Sequence, residues 1–185
     1  MLIGKKVNMS LIEKGELSIL KEWVNSQDFV GEFEPISQET LGDLEKQYDN
    51  LAGGQWFFVE KKDGVKIGYV AHFKSKGCVA IGYMLVPNER GKGYGSEAVQ
   101  MMVDYLFLTR DVVRIQAETH PENIGSRRVL EKAGFMKEGY IRKSFFSRGV
   151  HRDTAMWSIL REEWREPKIL PKGYVKKESN TRDIS

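Results

Sequence analysis

YMLVPNERGKGYGSEA, residues 83–98, decides how this chain is read. Its first residues end an apolar strand, and its last residues open a helix that carries Ala98, Val99, Met102, Val103 and Leu106 on one face. Between them lies Arg90-Gly91-Lys92-Gly93-Tyr94-Gly95. Glycine lets a backbone adopt positive φ and pass close to a ligand. The first amides of a helix lack intrahelical acceptors and carry the positive end of its dipole. A glycine-rich turn that runs into a helix is therefore a cradle for an anion such as phosphate, or else a plain strand–helix turn with incidental glycines. Arg90 and Lys92 add positive charge to it. Two familiar phosphate motifs are absent: no Lys-Ser/Thr follows Gly95, and Gly93-x-Gly95 continues as Ser96-Glu97-Ala98.

The pattern on either side sets the fold class. WFFV (56–59) and an alternating Val65, Ile67, Tyr69, Ala71 and Phe73 flank an Asp-Gly turn at 63–64, which predicts a hairpin. Residues 79–86 are apolar on both parities, as in a strand covered on both faces. After the helix come a strand over 112–119, a helix from about Asn123 to Ala133 stopped by Gly134, and two strands over about 135–147 and 152–160. Helical spacing recurs over 15–25 and 37–51, the segment 28–35 reads as a loop, and residues 3–10 read as an edge strand. Hairpins first, then strand–helix–strand–helix–strand, predict an α+β (mixed α/β) fold: a mixed central sheet with helices on both faces.

Composition bounds the rest. A chain of 185 residues, 41% hydrophobic and 30% charged, suits one domain. We expect that domain over 1–165. Residues 166–185, with Pro167 and Pro171, read as a C-terminal extension that is either disordered or draped over it. A net charge of +3 is too small for a dedicated nucleic-acid binder. One cysteine, Cys78, excludes an internal disulfide and any cysteine-based zinc cluster, and three scattered histidines do not suggest a metal site. No apolar run has the length of a membrane span, and residues 1–10 lack the apolar stretch of a signal peptide. The expectation is a cytoplasmic protein without metal.

Two blocks carry a resemblance. Arg90-x-x-Gly93-x-Gly95 between strand and helix, and Asn123-x-x-Ser126-x-x-x-Leu130-Glu131-Lys132-x-Gly134-Phe135 some thirty residues on, resemble the signature of the GNAT superfamily of acetyl-CoA-dependent N-acetyltransferases. Glu138-Gly139-Tyr140-x-Arg142, Asp153 and Glu163-Trp164 are similar to the RimJ/RimL branch, the ribosomal-protein alanine N-acetyltransferases. The resemblance implies a mostly antiparallel sheet of about seven strands in which two neighbouring parallel strands splay apart. It implies that Gly91, Lys92, Gly93, Tyr94, Gly95 and Ser96 turn amides to the CoA pyrophosphate beside Arg90, and that the backbone of Leu85 and Val86 pairs with the pantetheine. Asn123 caps its helix and meets the same arm. Ser126 either donates to the departing thiolate or is a second cap. Lys132 either reaches the cofactor phosphates or is merely solvated.

The reaction so implied is direct attack of a primary amine on the acetyl thioester, which needs a group to take the amine's proton and a donor for the thiolate. The glutamate that many relatives carry before Ile81-Gly82-Tyr83 is Ala80 here. Glu118 could take its place, or simply pair with Arg114. His120 could act beside it, or cap the turn before Pro121. A protein N-terminal α-amine, with its lower pKa, needs less help than a lysine and is the leading acceptor. A small amine such as a polyamine, an aminoglycoside or another antibiotic is the alternative. A non-catalytic acetyl-CoA-binding module is the reading from another class. The acceptor pocket is expected around Trp23, Phe29, Glu32, Phe33, Glu34, Phe145 and Phe146, unless these are ordinary surface loops. An exposed late strand could support a homodimer.

Overall fold

The expected hairpin is β3 (Gln55–Lys61) and β4 (Lys66–Ser75) in the computed structural model, which describes residues 1–75 and 77–171. Its turn closes where Gly64, at φ +85°, donates its amide to the Lys61 carbonyl at 3.0 Å. β5 (Cys78–Leu85) lies antiparallel along β4 over its whole length. Outside β3 lie β2 (Val7–Leu11) and the two-residue β1 (Leu2–Ile3). Beyond β5 come β6 (Arg114–Thr119), then β8 (Val150–Leu160), with β7 (Met136–Ser147) at the far edge. Among the described residues the sheet therefore has eight strands, in keeping with the about seven expected. The added strand, β1, is too short to show alternation.

Every neighbouring pair is antiparallel except β5 and β6. That pair holds for three rungs only, from Val79 opposite Ile115 to Ile81 opposite Ala117. Past these rungs β5 follows β4 through Leu85, while β6 follows β8 through Thr119. The two strands part into a wedge in the middle of the sheet, where backbone groups face no neighbouring strand.

Alternation sends successive side chains to opposite faces. α4 (Tyr94–Thr109) and α5 (Ile124–Ala133) cover one face, where Met101, Met102, Leu106 and Leu130 meet Val79, Ile81, Ile115 and Ala117. Tyr83 packs on that side. α1 (Leu17–Val24) and α3 (Leu41–Asp49) cover the other face with Leu17, Leu20 and Leu44 over Phe58. Thr40 and Asp43 form a capping box at the start of α3. Asn123 caps α5, and Gly134, at φ +99°, ends it in a Schellman turn: Phe135 donates to Leu130 and Gly134 to Glu131.

One expectation is corrected here, and another is narrowed. The loop expected at 28–35 begins inside a short helix, α2 (Gln27–Val30), because Phe29 is buried between the rings of Trp23 and Tyr69, at centroid distances of 5.2 and 6.2 Å. The start of the C-terminal extension is packed. The buried carboxylate of Asp104 on α4 accepts from Trp164 Nε1 and from the amides of Lys168, Ile169 and Leu170 at 2.7–3.1 Å. Residues 172–185 of the extension lie outside the described residues.

Candidate active site

The wedge is bordered on one side by the glycine-rich turn. Gly91 and Gly93 have φ of +77° and +87°, a conformation that strains any residue with a Cβ. Gly93 is the N-terminal cap of α4. Among the described residues, the amides from Gly91 to Ser96 find no protein acceptor. A run of outward-facing amides at a positive helix end fits a pyrophosphate. Gly95 is different: a Cβ there would make ordinary contacts, 3.5 Å from Leu85 Cδ1.

The charged residues of this turn are partly committed to the protein. Arg90 Nε donates to the Leu85 carbonyl at 2.9 Å, and its Nη2 donates to the Phe29 carbonyl. Burial lowers its pKa from the ordinary value. Arg90 thus ties α2 to the end of β5. Lys92 pairs with Glu89 at 2.8 Å. Lys6, which the sequence did not single out, reaches the turn from the β1–β2 loop: its Nζ donates to the Lys92 carbonyl at 3.3 Å. That loop is held by Glu97, whose carboxylate accepts the amides of Lys6 and Val7 at 2.6 and 3.2 Å.

At the strand end Leu85 and Val86 differ in what they offer. Val86 donates its amide to Ile67 at 2.9 Å, which commits that group, and its carbonyl already accepts one hydrogen bond from Glu89 at 3.0 Å. Alternation then turns the backbone of Leu85 and Tyr83 to the open side. The Leu85 carbonyl is taken by Arg90, which leaves its amide.

Ser126 stands in the first turn of α5, where the Asn123 side chain accepts its amide at 3.0 Å. Its hydroxyl lies 2.8 Å from the Tyr83 hydroxyl, which also donates to the Ser126 carbonyl at 3.1 Å. Burial pushes the Tyr83 phenol far up, against a smaller opposing effect of the hydrogen bond with Ser126. The phenol therefore stays protonated. Tyr83 belongs to the site through its side chain as well as its backbone. The only sequence signal for it was its place at the strand end. Lys132, on the last turn of α5, is exposed.

Glu118 lies on the other face of the sheet. It is the first β6 residue past the Ile81–Ala117 rung, so register puts it across the wedge from Gly82. It is exposed, and the partner expected for it is taken: Arg114 pairs with Glu138 at 2.9 Å. His120 follows two residues on. Its Nδ1 accepts the Glu122 amide at 3.2 Å, so the neutral ring carries its proton on Nε2 and cannot accept another there. The ring packs on Phe33 and Phe145, at 5.1 and 6.5 Å. Phe146 instead packs on His151, and Trp23 and Phe29 pack with each other. Arg148 of the β7–β8 turn donates to Gly31 at 2.7 Å and Ser147 donates to Glu34 at 3.3 Å, which joins that hairpin to the loop after α2. Glu34 keeps solvent contact, but crowding by the surrounding protein raises its carboxyl pKa.

Among the described residues, no three His, Cys, Asp or Glu are grouped as a metal site would require. Among them too, no helix is long and apolar enough to cross a membrane.

Residues 13–136 match the family model described as an acetyltransferase (GNAT) domain. Among curated proteins, the chain is 49% identical over 80 residues to the probable N-acetyltransferase YjcK of Bacillus subtilis (strain 168), covering 43% of this chain and 44% of that protein. It is 30% identical over 146 residues to the SPbeta prophage-derived uncharacterized N-acetyltransferase YokL of the same organism, covering 78% and 71%. The matches to the first three curated relatives span 44%, 59% and 51% of those proteins. Among solved structures, a GNAT-family acetyltransferase from Bacillus anthracis superposes with a TM-score of 0.74 at 27% identity, covering 87% of this chain and 98% of that one. A ribosomal-protein-S5-alanine acetyltransferase from Vibrio fischeri gives 0.75 at 22%, covering 89% and 98%. A spermidine N-acetyltransferase from Vibrio cholerae, in complex with CoA and spermine, gives 0.75 at 21%, covering 87% and 99%. At these last identities the likeness is one of fold.

Proposed function

The chain belongs to the GNAT acetyltransferase family, and on that premise we propose that it transfers an acetyl group from acetyl-CoA to a primary amine by direct attack. The observation that carries the proposal is the wedge. On one side of it stand the free amides of Gly91–Ser96, and at its apex the Tyr83–Ser126 hydroxyl pair faces one surface of the sheet while Glu118 faces the other. A donor and an acceptor of protons on opposite faces of one opening is what transfer between two ligands requires.

The amides of Gly91–Ser96 would hold the pyrophosphate, with Lys6, Lys92 and Arg90 around it, and the Leu85 amide would take the pantetheine as an added strand. Bound there, acetyl-CoA supplies the thioester carbon that the amine attacks. Glu118 takes the proton that the ammonium must lose, directly or through water. Ser126, held in place by the Tyr83 hydroxyl, donates its proton as the C–S bond breaks, and solvent water returns it. His120 donates from Nε2 and so orients the acceptor and does not deprotonate it. We take a protein N-terminal α-amine as the leading acceptor, because its lower pKa suits a site whose one base is exposed to water. A small cationic amine is the alternative. The protein is expected to act in the cytoplasm, without a metal and without nucleic acid, and β7, an edge strand among the described residues, is where a second copy would add.

The test is thiol release from acetyl-CoA with peptides bearing N-terminal Ala, Ser or Met, with polyamines and with aminoglycosides. Acetyl found on a peptide α-amine by mass spectrometry supports the leading acceptor. Release with small amines alone moves the reading to the alternative. Acetyl-CoA binding with no release from any acceptor leaves a binding module.

A further inference from the structure

The face of the sheet on which Glu118 lies holds a cavity of about 580 Å³ between α1, α3 and strands β3 to β5. Its size falls within the roughly 300–1,000 Å³ typical of ligand pockets. Leu20, Leu44, Trp56, Tyr69 and Phe73 supply apolar and aromatic walls, and Lys74 is the one charged residue on the described lining. Among the described residues no carboxylate lines it. Gly82 forms one wall, next to the apex of the wedge, and a Cβ built on it would meet nothing within 4 Å. The cavity therefore opens beside the wedge, at the residue that faces Glu118 across it.

We propose, resting on the acetyltransferase reading above, that this cavity holds the apolar body of the acceptor, so that the substrate class is a primary amine attached to an aromatic or branched aliphatic group. The charge pattern fits an amphipathic cation. Glu118 lies opposite Gly82 by register, and Glu34 is near enough to Tyr69 for its charge to help burial raise that phenol to about 12. An ammonium group is thus received at the mouth by carboxylates. The interior then offers hydrocarbon, with the exposed Lys74 at its edge. A polyamine or aminoglycoside would have to place its second cation against apolar walls, where an unpaired charge is unfavourable. A free arylalkylamine and a peptide with a bulky apolar first residue present the same chemistry.

The test reads binding apart from turnover. Tryptophan fluorescence, for which Trp56 in the wall is the reporter, is titrated with 2-phenylethylamine, with a peptide bearing N-terminal Leu and with spermidine. Saturable binding is expected for one or both apolar amines, at least tenfold tighter than for spermidine; which of the two binds identifies the source. Gly82→Leu should weaken that binding at least tenfold while melting temperature and acetyl-CoA affinity stay as in the parent chain, because its side chain enters open space. Phe73→Ser, at an exposed rim position, should weaken it by a smaller factor without opening the core. Spermidine binding as tight as the apolar amines, or apolar binding unchanged in Gly82→Leu, overturns the proposal. Thiol release with spermidine alone overturns it and leaves the acetyltransferase reading standing. Apolar binding without thiol release from any acceptor does the reverse.

Discussion

Tyr83 and Ser126 meet hydroxyl to hydroxyl at 2.8 Å, from a strand end and a helix start that are 43 residues apart in the chain. Ser126 is positioned twice, by the Asn123 cap on its amide and by Tyr83 on its side chain. Ser126→Ala should lower kcat about 10²-fold, the usual scale for a lost acid, with acetyl-CoA affinity unchanged in a binding titration. Tyr83→Phe keeps the buried ring and removes only the hydroxyl. It should lower kcat by about tenfold, the equivalent of one net hydrogen bond. Parental kcat in both variants would return Ser126 to a capping role.

Glu118→Gln preserves shape on an exposed strand and removes the carboxylate. We expect kcat/KM to fall about 10²-fold with folding undisturbed, as judged by melting temperature. His120→Gln should change KM more than kcat, since the ring donates and does not accept there. The opposite pattern in steady-state kinetics would exchange their roles.

Gly93 and Gly95 should respond differently to alanine. Gly93 needs φ +87°, and a Cβ there would lie 3.1 Å from Lys6 Nζ, so Gly93→Ala should cost about 1–2 kcal/mol and weaken acetyl-CoA binding. Gly95 is helical with room for a Cβ, so Gly95→Ala should leave stability equal or higher by about 0.5–1 kcal/mol. Any loss of acetyl-CoA affinity in the Gly95 variant then measures how closely the ligand approaches that backbone. Thermal melts and binding titrations on the two variants separate the effects.

His72, 1% exposed, sits among Gln55, Tyr105 and Arg110, with its Nε2 3.3 Å from Gln55 Oε1. Burial, helped by the Arg110 charge, lowers its pKa to about 4, against about 6.5 in an unfolded chain. Above pH 6.5 neither state binds the proton. Between 6.5 and 4 only the unfolded chain does, so stability falls as pH falls, by about 3 kcal/mol at most over that window. His72→Gln should be less stable at pH 7 but lose less stability between pH 7 and 4.5, as read from urea midpoints.

Asp104, fully buried, holds four donors of the segment from Trp164 to Leu170. Asp104→Ala leaves them unsatisfied and should cost about 3–5 kcal/mol, lowering the melting temperature by about 10 °C in a chain of this size. Limited proteolysis should then cut near Lys168 in the variant before it cuts the parent chain.

Much of this was legible in the residues because it depends on neighbours along the chain. The alternation from Val65 to Phe73, the turn at Asp63-Gly64, the glycines before α4, and Asn123 and Gly134 at the ends of α5 each act within a few residues. Local sterics and hydrogen bonds determine them, so strand, cradle and helix could be placed before any contact was seen. What tertiary structure decided was which groups face one another. A slip of one residue in a strand exchanges its two faces, and no local preference fixes that choice. Register separated Tyr83 from Gly82 and gave Arg114 to Glu138, leaving Glu118 without it. It also committed Val86 to Ile67 and Arg90 to Phe29. The apolar cavity beside Gly82 has the same origin: its walls come from three strands and two helices, and only their packing puts the hydrocarbon of Trp56 and Phe73 beside an opening in the sheet.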